Sequence, residues 1–160
     1  MAGLRLKVPE HDKRTSGDHP YLLSDGPEYI LGVEAATFSR NQRSSRRREL
    51  SRKLHEEVLG ELDDEGARAI LAFMSRPTEE ILSDELRSVS EVLIGGGNIV
   101  FRLTGDDRYI HERPEVARAW ETHRAKHVTD SVLGQCLVTG EWGPVARLHM
   151  STSGVRDGPS

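Results

Sequence analysis

Cysteine is almost absent from this sequence: Cys136 is the only one among 160 residues. One thiol cannot form a disulfide within the chain, so an internal disulfide framework is excluded. Long apolar runs are also missing, and none approaches the roughly 18 residues that a membrane-spanning helix needs. The first residues, MAGLRLKVPEHDKR, contain no apolar stretch of signal-peptide length. We therefore expect a cytoplasmic protein with no membrane partner.

Aromatic residues are scarce, at 5% of the chain, whereas charged residues make up 30%. Hydrophobic residues contribute 36%, which is low but compatible with a packed core. A chain of this length can bury about two-thirds of the surface that it exposes when unfolded. The length therefore predicts a single domain over residues 1–155, followed by a frayed tail at residues 156–160.

The net charge of −4 hides an uneven distribution of charged residues. Residues 1–55 carry eleven Lys and Arg against seven Asp and Glu, whereas residues 56–91 carry three against eleven. Such asymmetry indicates separate surfaces for separate partners. Nucleic-acid binding depends on local Lys and Arg side chains and not on the net charge, so the basic first third of the chain is a candidate for it.

Turn residues between short apolar runs predict strands near both ends of the chain. At the N-terminal end, strands are expected at residues 4–9 and on either side of Asp25-Gly26-Pro27. Residues 98–112 alternate between apolar and polar positions and predict a hairpin. A helix is expected to begin at Pro114. A second pair of strands is expected on either side of residues 139–144.

The middle of the chain has helical periodicity. Leu50 and Leu54 belong to a run of apolar residues that recur every fourth position, which predicts one helix. A second helix is expected after a cap at Asp63 or Asp64, and a third at about residues 79–89. Strands, helices and strands in this order predict an α+β fold, with small antiparallel strands at both ends around a central helical region.

The segment GQCLVTGEWGPVARLH contains Cys136, Glu141 and His149, the residue types of a thiol enzyme or a metal site. If the hairpin is centred between Glu141 and Trp142, His149 is the diagonal neighbour of Cys136 on one face. A slip of one residue moves His149 to the other face, so a dyad is possible in one register only. The segment also lacks the paired ligand spacing of zinc sites. We expect Cys136 to be packed as a small hydrophobe, with no catalytic residue and no metal.

Two other patterns are weaker still as sites. His123 and His127 are four residues apart on the predicted helix, but the sequence HRAKH is not the HExxH pattern of zinc proteases. His123 shares an apolar stripe with Trp120, which favours packing. Residues 95–100, GGGNIV, precede a strand and lack the lysine of a phosphate-binding loop.

The strongest charge feature is the segment from Arg40 to Lys53, which holds seven basic residues and one acid. On a helix that begins near Ser45, Leu50 and Leu54 would face inward. The arginines and Lys53 would then spread across the outer face. This face is either simply solvated or in contact with phosphates.

The loop of residues 13–17, KRTSG, is a second candidate, because it combines two cations, two hydroxyls and a glycine. The two segments supply the predicted nucleic-acid-binding residues: Lys13, Arg14, Thr15, Ser16, Arg43, Arg46, Arg47, Arg48 and Arg52.

Four stretches of the sequence, in order, resemble one known family. They are VPEHDKRTSG with YLLSDGPEYILGV, LHEEVLGELDDEGARAILAFM, NIVFRLTGDDRYIHERPEVARAWETH and GQCLVTGEWGPVARLH. The chain is similar to the CRISPR-associated large subunit of type I-C (Dvulg subtype) surveillance complexes. Gly143 stands where the family usually has alanine. The family's members are several times longer, so this chain is expected to be an internal part of the N-terminal domain.

The resemblance implies a role without catalysis and without a cofactor. It implies binding to duplex DNA at the short motif that flanks the target, and recruitment of a nuclease-helicase. The other implied partners are subunits of the guide-RNA-containing complex, in which base pairing reads the target. Two alternatives stay open at this stage: a Cys/His thiol hydrolase, and an inactive truncated remnant with only a scaffold role.

Overall fold

The structure of the protein, a computed structural model, describes residues 6–11, 14, 17–82, 97–128, 133–135 and 142–144. The chain divides into two compact units, Met1–Thr122 and His123–Ser160. Helices and short antiparallel strands occur together, so the predicted α+β class is confirmed. A single domain over residues 1–155 stays a prediction, and the predicted frayed tail lies outside the described residues.

The first unit begins differently from the prediction. Strand β1 (Ser24–Asp25) is followed at once by helix α1 (Pro27–Ile30), where a second strand was expected. Pro27 favours a helix start because its φ is fixed near the helical value and its missing N–H is not needed in the first turn. The carbonyl of Gly26 accepts the N–H groups of Tyr29 and Ile30 and so closes that turn.

The strand expected at residues 4–9 is also wrong for the part that the structure describes, because residues 6–9 are not in a strand. Trp120 Nε1 donates a hydrogen bond to the carbonyl of Glu10 (3.0 Å). A ring nitrogen of His111 lies 3.0 Å from the carbonyl of Lys7. The carbonyls of Lys7 and Glu10 are thus contacted by the side chains of His111 and Trp120.

Three helices form the centre: α2 (Gln42–Leu59), α3 (Glu65–Ser75) and α4 (Thr78–Ile81). The predicted cap of α3 is confirmed at Asp64, whose side chain accepts the N–H of Ala67 (2.8 Å). Pro77 separates α3 from α4, as its lack of a backbone donor and its restriction of the preceding residue require. Helix α4 corresponds to the start of the third predicted helix and ends at Ile81. Residues 83–89 of that prediction lie outside the described part.

The hairpin predicted at residues 98–112 is confirmed up to Tyr109, and its last three residues form a 3₁₀ turn instead. Arg102 and Tyr109 form an antiparallel bridge, and Ile110 donates its N–H to the carbonyl of Phe101 (2.9 Å). Strand β2 (Ile99–Val100) also pairs with β1, which places Ser24 opposite Val100. A 3₁₀ turn (Ile110–Glu112) leads into helix α5 (Pro114–Val128), which begins at the predicted proline.

Two groups of buried side chains form the core of the first unit. The larger group lies between β1, α2, α3 and the start of α5, and consists of Leu22, Leu23, Val58, Leu59, Ala67, Ile70, Met74, Ile110 and Val116. The smaller group consists of Ile30, Leu31, Val33 and Ile81. Phe73 and Phe101 pack against both groups. Their ring centres are 5.5 Å apart, in an edge-to-face arrangement. Among the described helices, none combines the length and the apolar character that crossing a bilayer requires.

The second unit contains strand β3 (Leu133–Gln135), which pairs with β4 (Trp142–Pro144). Gln135 lies opposite Trp142, and the three pairs are symmetric about residues 138 and 139. The turn predicted at residues 139–144 is therefore wrong, because the second half of that range is a strand. An aromatic residue favours a strand, and proline is tolerated where a strand is at an edge.

The pairing of β3 with β4 also differs from the register that the proposed Cys–His dyad required. The dyad required a hairpin centred between Glu141 and Trp142, whereas the pairing found is centred three residues earlier. Cys136, Glu141 and His149 themselves lie outside the described residues, and the thiol hydrolase stays an untested hypothesis.

Candidate nucleic-acid interface

Helix α2 carries most of the predicted binding residues, and a capping box sets its first residue. Asn41 Oδ1 accepts the backbone N–H of Ser44 (2.8 Å), and Ser44 Oγ accepts that of Asn41 (3.0 Å). These bonds satisfy backbone donors that the first helical turn leaves without a partner. The helix therefore begins at Gln42 and not near Ser45, so Arg43 belongs to its first turn.

Arg48 is buried, which corrects the prediction that it faces outward. Only 7% of the residue is exposed. Its guanidinium donates to the carbonyl oxygens of Ile30, Met74 (3.3 Å) and Arg76 (2.9 Å). The carbonyls near the end of α3 have no partner within that helix, so Arg48 supplies the donors they need. Burial lowers the pKa of Arg48.

This arrangement explains why a charged residue can lie inside. A guanidinium has five N–H donors in a fixed plane, and backbone carbonyls from two elements can satisfy several of them together. Gly32 makes room for the side chain, because a Cβ at that position would lie 2.8 Å from Arg48 Cδ. Arg48 is therefore part of the core and is not exposed to a nucleic acid.

Arg47 is held by two carboxylates and an aromatic ring. Its Nε donates to Asp18 Oδ1 (2.6 Å), and its other end forms an ion pair with Glu28. The guanidinium carbon lies 5.2 Å from the centre of the Tyr29 ring, within the range of a cation–π contact. Only 14% of the Arg47 side chain is exposed, so these contacts keep it in one position.

Arg43 and Arg46 face outward on the same side of α2. The side chain of Arg43 is 72% exposed, and its Nε lies 3.9 Å from Asp18 Oδ1. Arg46 is also exposed, as the sequence predicted. Residues three and four positions apart are neighbours on a helix surface, so Arg43, Arg46 and Arg47 form one row.

Asp18 faces this row, and we name Asp18, Arg43, Arg46 and Arg47 the Asp18 cluster. The hydrogen bond from Arg47 lowers the pKa of Asp18. The positive charges of Arg47, Arg43 and Arg46 lower it further, against the effect of burial. Asp18 is thus ionised at neutral pH, and the cluster contains one carboxylate among three guanidinium groups.

Arg14 anchors the segment that leads to Asp18. Its guanidinium carbon lies 3.8 Å from the centre of the Tyr21 ring and 4.2 Å from that of Tyr29. The same group forms an ion pair with the buried Asp25 and donates to the carbonyl of His19. Burial raises the pKa of Asp25, and the hydrogen bond from Arg14 opposes that rise. Arg14 is therefore engaged inside its own segment.

Lys13, Thr15 and Ser16 lie outside the described residues. The structure places the residues around them: Arg14 lies against two tyrosines, and Asp18 contacts α2. The described contact between this region and the basic part of α2 is made by Asp18, which pairs with Arg47 and lies near Arg43.

Arg52 lies further along α2 and is neutralised by that helix's own acids. It donates to Glu49 (2.7 Å) and forms an ion pair with Glu56. The hydrogen bond that Arg52 donates to Glu49, followed by the negative charges of both acids, raises the pKa of Arg52. Ion pairs between residues three or four positions apart stabilise a helix modestly. Arg52 therefore stabilises α2.

Sequence-based reasoning missed the side chains that hold the arginines. Asp18 was assigned to a loop, Asp25 to a turn, and Glu28 and Tyr29 to a strand, all without partners. One signal was present: residues 12–28 contain four acidic side chains and only two basic ones. An acidic excess next to a basic helix indicates that carboxylates of the loop can pair with the arginines of the helix.

Comparisons with known proteins bear on the whole chain. No curated protein matches it. The model of one family, described as CRISPR-associated protein (Cas_Csd1), matches residues 2–160. The match covers both compact units, and it agrees with the family resemblance of the four ordered stretches. This chain therefore belongs to the Csd1 family of CRISPR-associated proteins.

Proposed function

We propose that this chain is a non-catalytic part of the large subunit of a type I-C CRISPR surveillance complex and that it binds duplex DNA beside the target. Family membership supports a role in CRISPR defence. The observation that carries the DNA-binding part is the arginine row of the Asp18 cluster, in which Arg43 and Arg46 are exposed next to each other on α2.

The outer arginines have the chemistry that phosphates require. A guanidinium can donate two parallel hydrogen bonds to a phosphate, and its charge is permanent. Arg43 and Arg46 are exposed and adjacent, whereas Arg47 is held at the edge of the same row. We propose Arg43 and Arg46 as the main phosphate contacts, with Lys13, Thr15 and Ser16 contributing from the loop.

The remaining predicted residues support the site indirectly. Arg14 positions the loop, Arg48 holds α2 against α3, and Arg52 stabilises α2. Contacts of Arg43 and Arg46 with the backbone would position the duplex without reading its sequence. In the proposed complex, guide RNA reads the target by base pairing, and a nuclease-helicase is recruited once the duplex is opened.

The experiment measures how duplex binding by the full chain depends on salt. Each phosphate contact that is lost lowers the slope of log K against log salt by about 0.9. Replacing both Arg43 and Arg46 with alanine should therefore lower the slope by about 1.8 and weaken binding at low salt. Fluorescence anisotropy of a labelled mixed-sequence duplex over a salt series gives both values.

Arg118→Ala is the matched control. Its side chain is 73% exposed, close to the 72% of Arg43, and it also lies near one carboxylate, that of Glu115. We expect this control to leave the salt slope unchanged. A slope that is the same in the double variant and in the original chain would rule out the Asp18 cluster as the DNA site and would favour a scaffold role.

A further inference from the structure

The Asp18 cluster contains an anion of its own. Asp18 Oδ1 accepts a hydrogen bond from Arg47 Nε at 2.6 Å and lies 3.9 Å from Arg43 Nε. Asp18 is 21% exposed at its side chain, so it lies at the boundary between the arginine row and solvent. A ligand that reaches the row therefore meets the carboxylate together with the guanidinium groups.

A carboxylate and a phosphate compete for the same donors. Both accept short, charge-assisted hydrogen bonds from guanidinium groups, and both are negatively charged at neutral pH. An aspartate beside the row therefore occupies donors that a phosphate would use and also repels the incoming charge. The acid lowers the affinity of the row for any phosphate that does not displace it.

We propose that Asp18 is an autoinhibitory anion: in the absence of nucleic acid it pairs with Arg47 and offsets the positive charge of Arg43 and Arg46, and a DNA phosphate displaces it on binding. This inference rests on the proposed DNA-binding function and adds regulation to the same site. It makes binding selective for polyanions, because a single weak anion cannot compete with a carboxylate attached to the protein, whereas a row of phosphates can.

The surroundings of Asp18 allow this exchange. Gly17 and His19 on either side of it are exposed, so displacement of the side chain does not disturb the core. Arg47 keeps two contacts when Asp18 leaves, the ion pair with Glu28 and the ring of Tyr29. Arg43 is too far from Asp18 for a hydrogen bond and can turn to a phosphate at little cost.

The opposite role for Asp18 makes the opposite prediction. If Asp18 organised the arginines for binding, its removal would weaken binding, because the freed side chains would lose their preferred positions. If Asp18 competes with phosphate, its removal strengthens binding. The sign of the change therefore separates the two roles.

The first test is Asp18→Asn in the full chain, with the same duplex and salt series. The amide keeps the size of the side chain but removes its charge. We expect binding about three to five times tighter, the effect of one exposed ion pair, and a salt slope steeper by about one. The gain should disappear when Arg43 and Arg46 are also replaced with alanine.

Asp63→Asn is the control for net charge. Asp63 is a fully exposed side chain that pairs with Arg68, and its replacement changes the charge of the chain equally. It should leave the affinity within the error of the measurement. An equal gain from Asp63→Asn and Asp18→Asn would reduce the effect to net charge and overturn the inference.

Failure of the inference differs from failure of the proposed function. If Asp18→Asn binds no tighter than the original chain, while the double arginine variant binds more weakly, the DNA site stands and the autoinhibition is wrong. If the double arginine variant binds as the original chain does, both are wrong.

A second test uses the unchanged chain and does not depend on the folding of a variant. A water-soluble carbodiimide labels exposed carboxylates, and mass spectrometry reports the label on the peptide that contains Asp18. Displacement by DNA should raise the labelling of Asp18, because its ion pair with Arg47 is broken. Labelling that stays the same or falls on addition of the duplex would contradict displacement.

Discussion

At the scale of single residues, the surroundings of each arginine decide what it does. Arg14 lies against two tyrosine rings, Arg48 is buried among backbone carbonyls, and Arg43 is exposed to solvent. The guanidinium group suits all three places, because it is flat, always charged and has five donors. The number of arginines in a segment is therefore a poor measure of how many can reach a phosphate.

The buried His55 shows the same dependence on surroundings. Leu23 donates its N–H to His55 Nε2 (3.1 Å), so this nitrogen must be unprotonated, and Nδ1–H donates to the carbonyl of Ser51 (2.7 Å). Burial lowers the pKa of His55 to about 4, against the hydrogen bond to Ser51. A proton on Nε2 would face another donor, so the neutral form is required for folding.

We therefore predict that acid destabilises the protein through His55. The pKa is lower in the folded chain than the value of about 6.5 in the unfolded chain. The contribution of neutral His55 to the free energy of unfolding is fully present above the unfolded pKa, and it is lost as the pH drops from about 6.5 to about 4. The total loss is about 3 kcal/mol, at about 1.4 kcal/mol per pH unit.

Urea unfolding, followed by tryptophan fluorescence across this pH range, measures the loss. In His55→Gln the part of the pH dependence due to His55 should disappear, whatever the stability of the variant at neutral pH. His19→Gln, at an exposed position, should keep the original pH dependence. A pH profile that is unchanged in His55→Gln would show that His55 is not buried in its neutral form.

At the scale of elements, α2 buries a polar stripe. Ser44, Arg48, Ser51 and His55 recur along the helix and are all buried, whereas Leu50 and Leu54 are only half-buried. The leucine spacing placed Leu50 and Leu54 at the centre of the buried face, whereas the polar stripe lies there and Leu54 packs against the core as a half-buried side chain. Hydrophobic periodicity gives this result because it assumes that the buried stripe is apolar. Polar residues can be buried where each finds a hydrogen-bond partner, and those partners come from other parts of the chain.

Replacement of Arg48 tests this packing. Arg48→Ala leaves several buried carbonyls without a donor, and we expect a loss of about 3 kcal/mol or more in the free energy of unfolding. Arg48→Lys keeps the charge but not the planar set of donors, so its loss should be smaller but still measurable. Urea unfolding at neutral pH gives both values.

Arg46→Ala is the control from the outer face of the same helix. A surface substitution of this kind should change stability by no more than about 0.5 kcal/mol. Equal losses for Arg46→Ala and Arg48→Ala would mean that Arg48 does not hold α2 to its neighbours.

At the scale of the whole molecule, both core groups lie within the first unit. Their members, including the half-buried side chains packed on them, extend from Leu22 to Trp120. The strand pair of the second unit belongs to a separate compact unit. All the core residues that the structure describes thus belong to the first unit.

We predict that a chain of residues 1–128, which keeps α5 whole, folds cooperatively. Its urea midpoint should match that of the full chain, because no described core residue is removed. A broad transition or a clearly lower midpoint would show that residues beyond 128 contribute to the stability of the first unit.

The features that the sequence determined by itself depend on residues close together in the chain. Asp64 caps α3 through the N–H three residues later, Pro114 begins α5, and Arg102 meets Tyr109 across a short turn. The order of motifs was enough to place the chain in its family, because such motifs can be read in the sequence before any folding is considered.

Tertiary structure alone decided which cations remain available for binding. The partners that bury Arg48 lie 18 to 28 residues away, and Asp18 lies 29 residues from Arg47. A helical pattern specifies which side chains share a face but not which element that face meets. The exposed arginines could therefore be told from the engaged ones only when distant carboxylates and carbonyls were placed beside them.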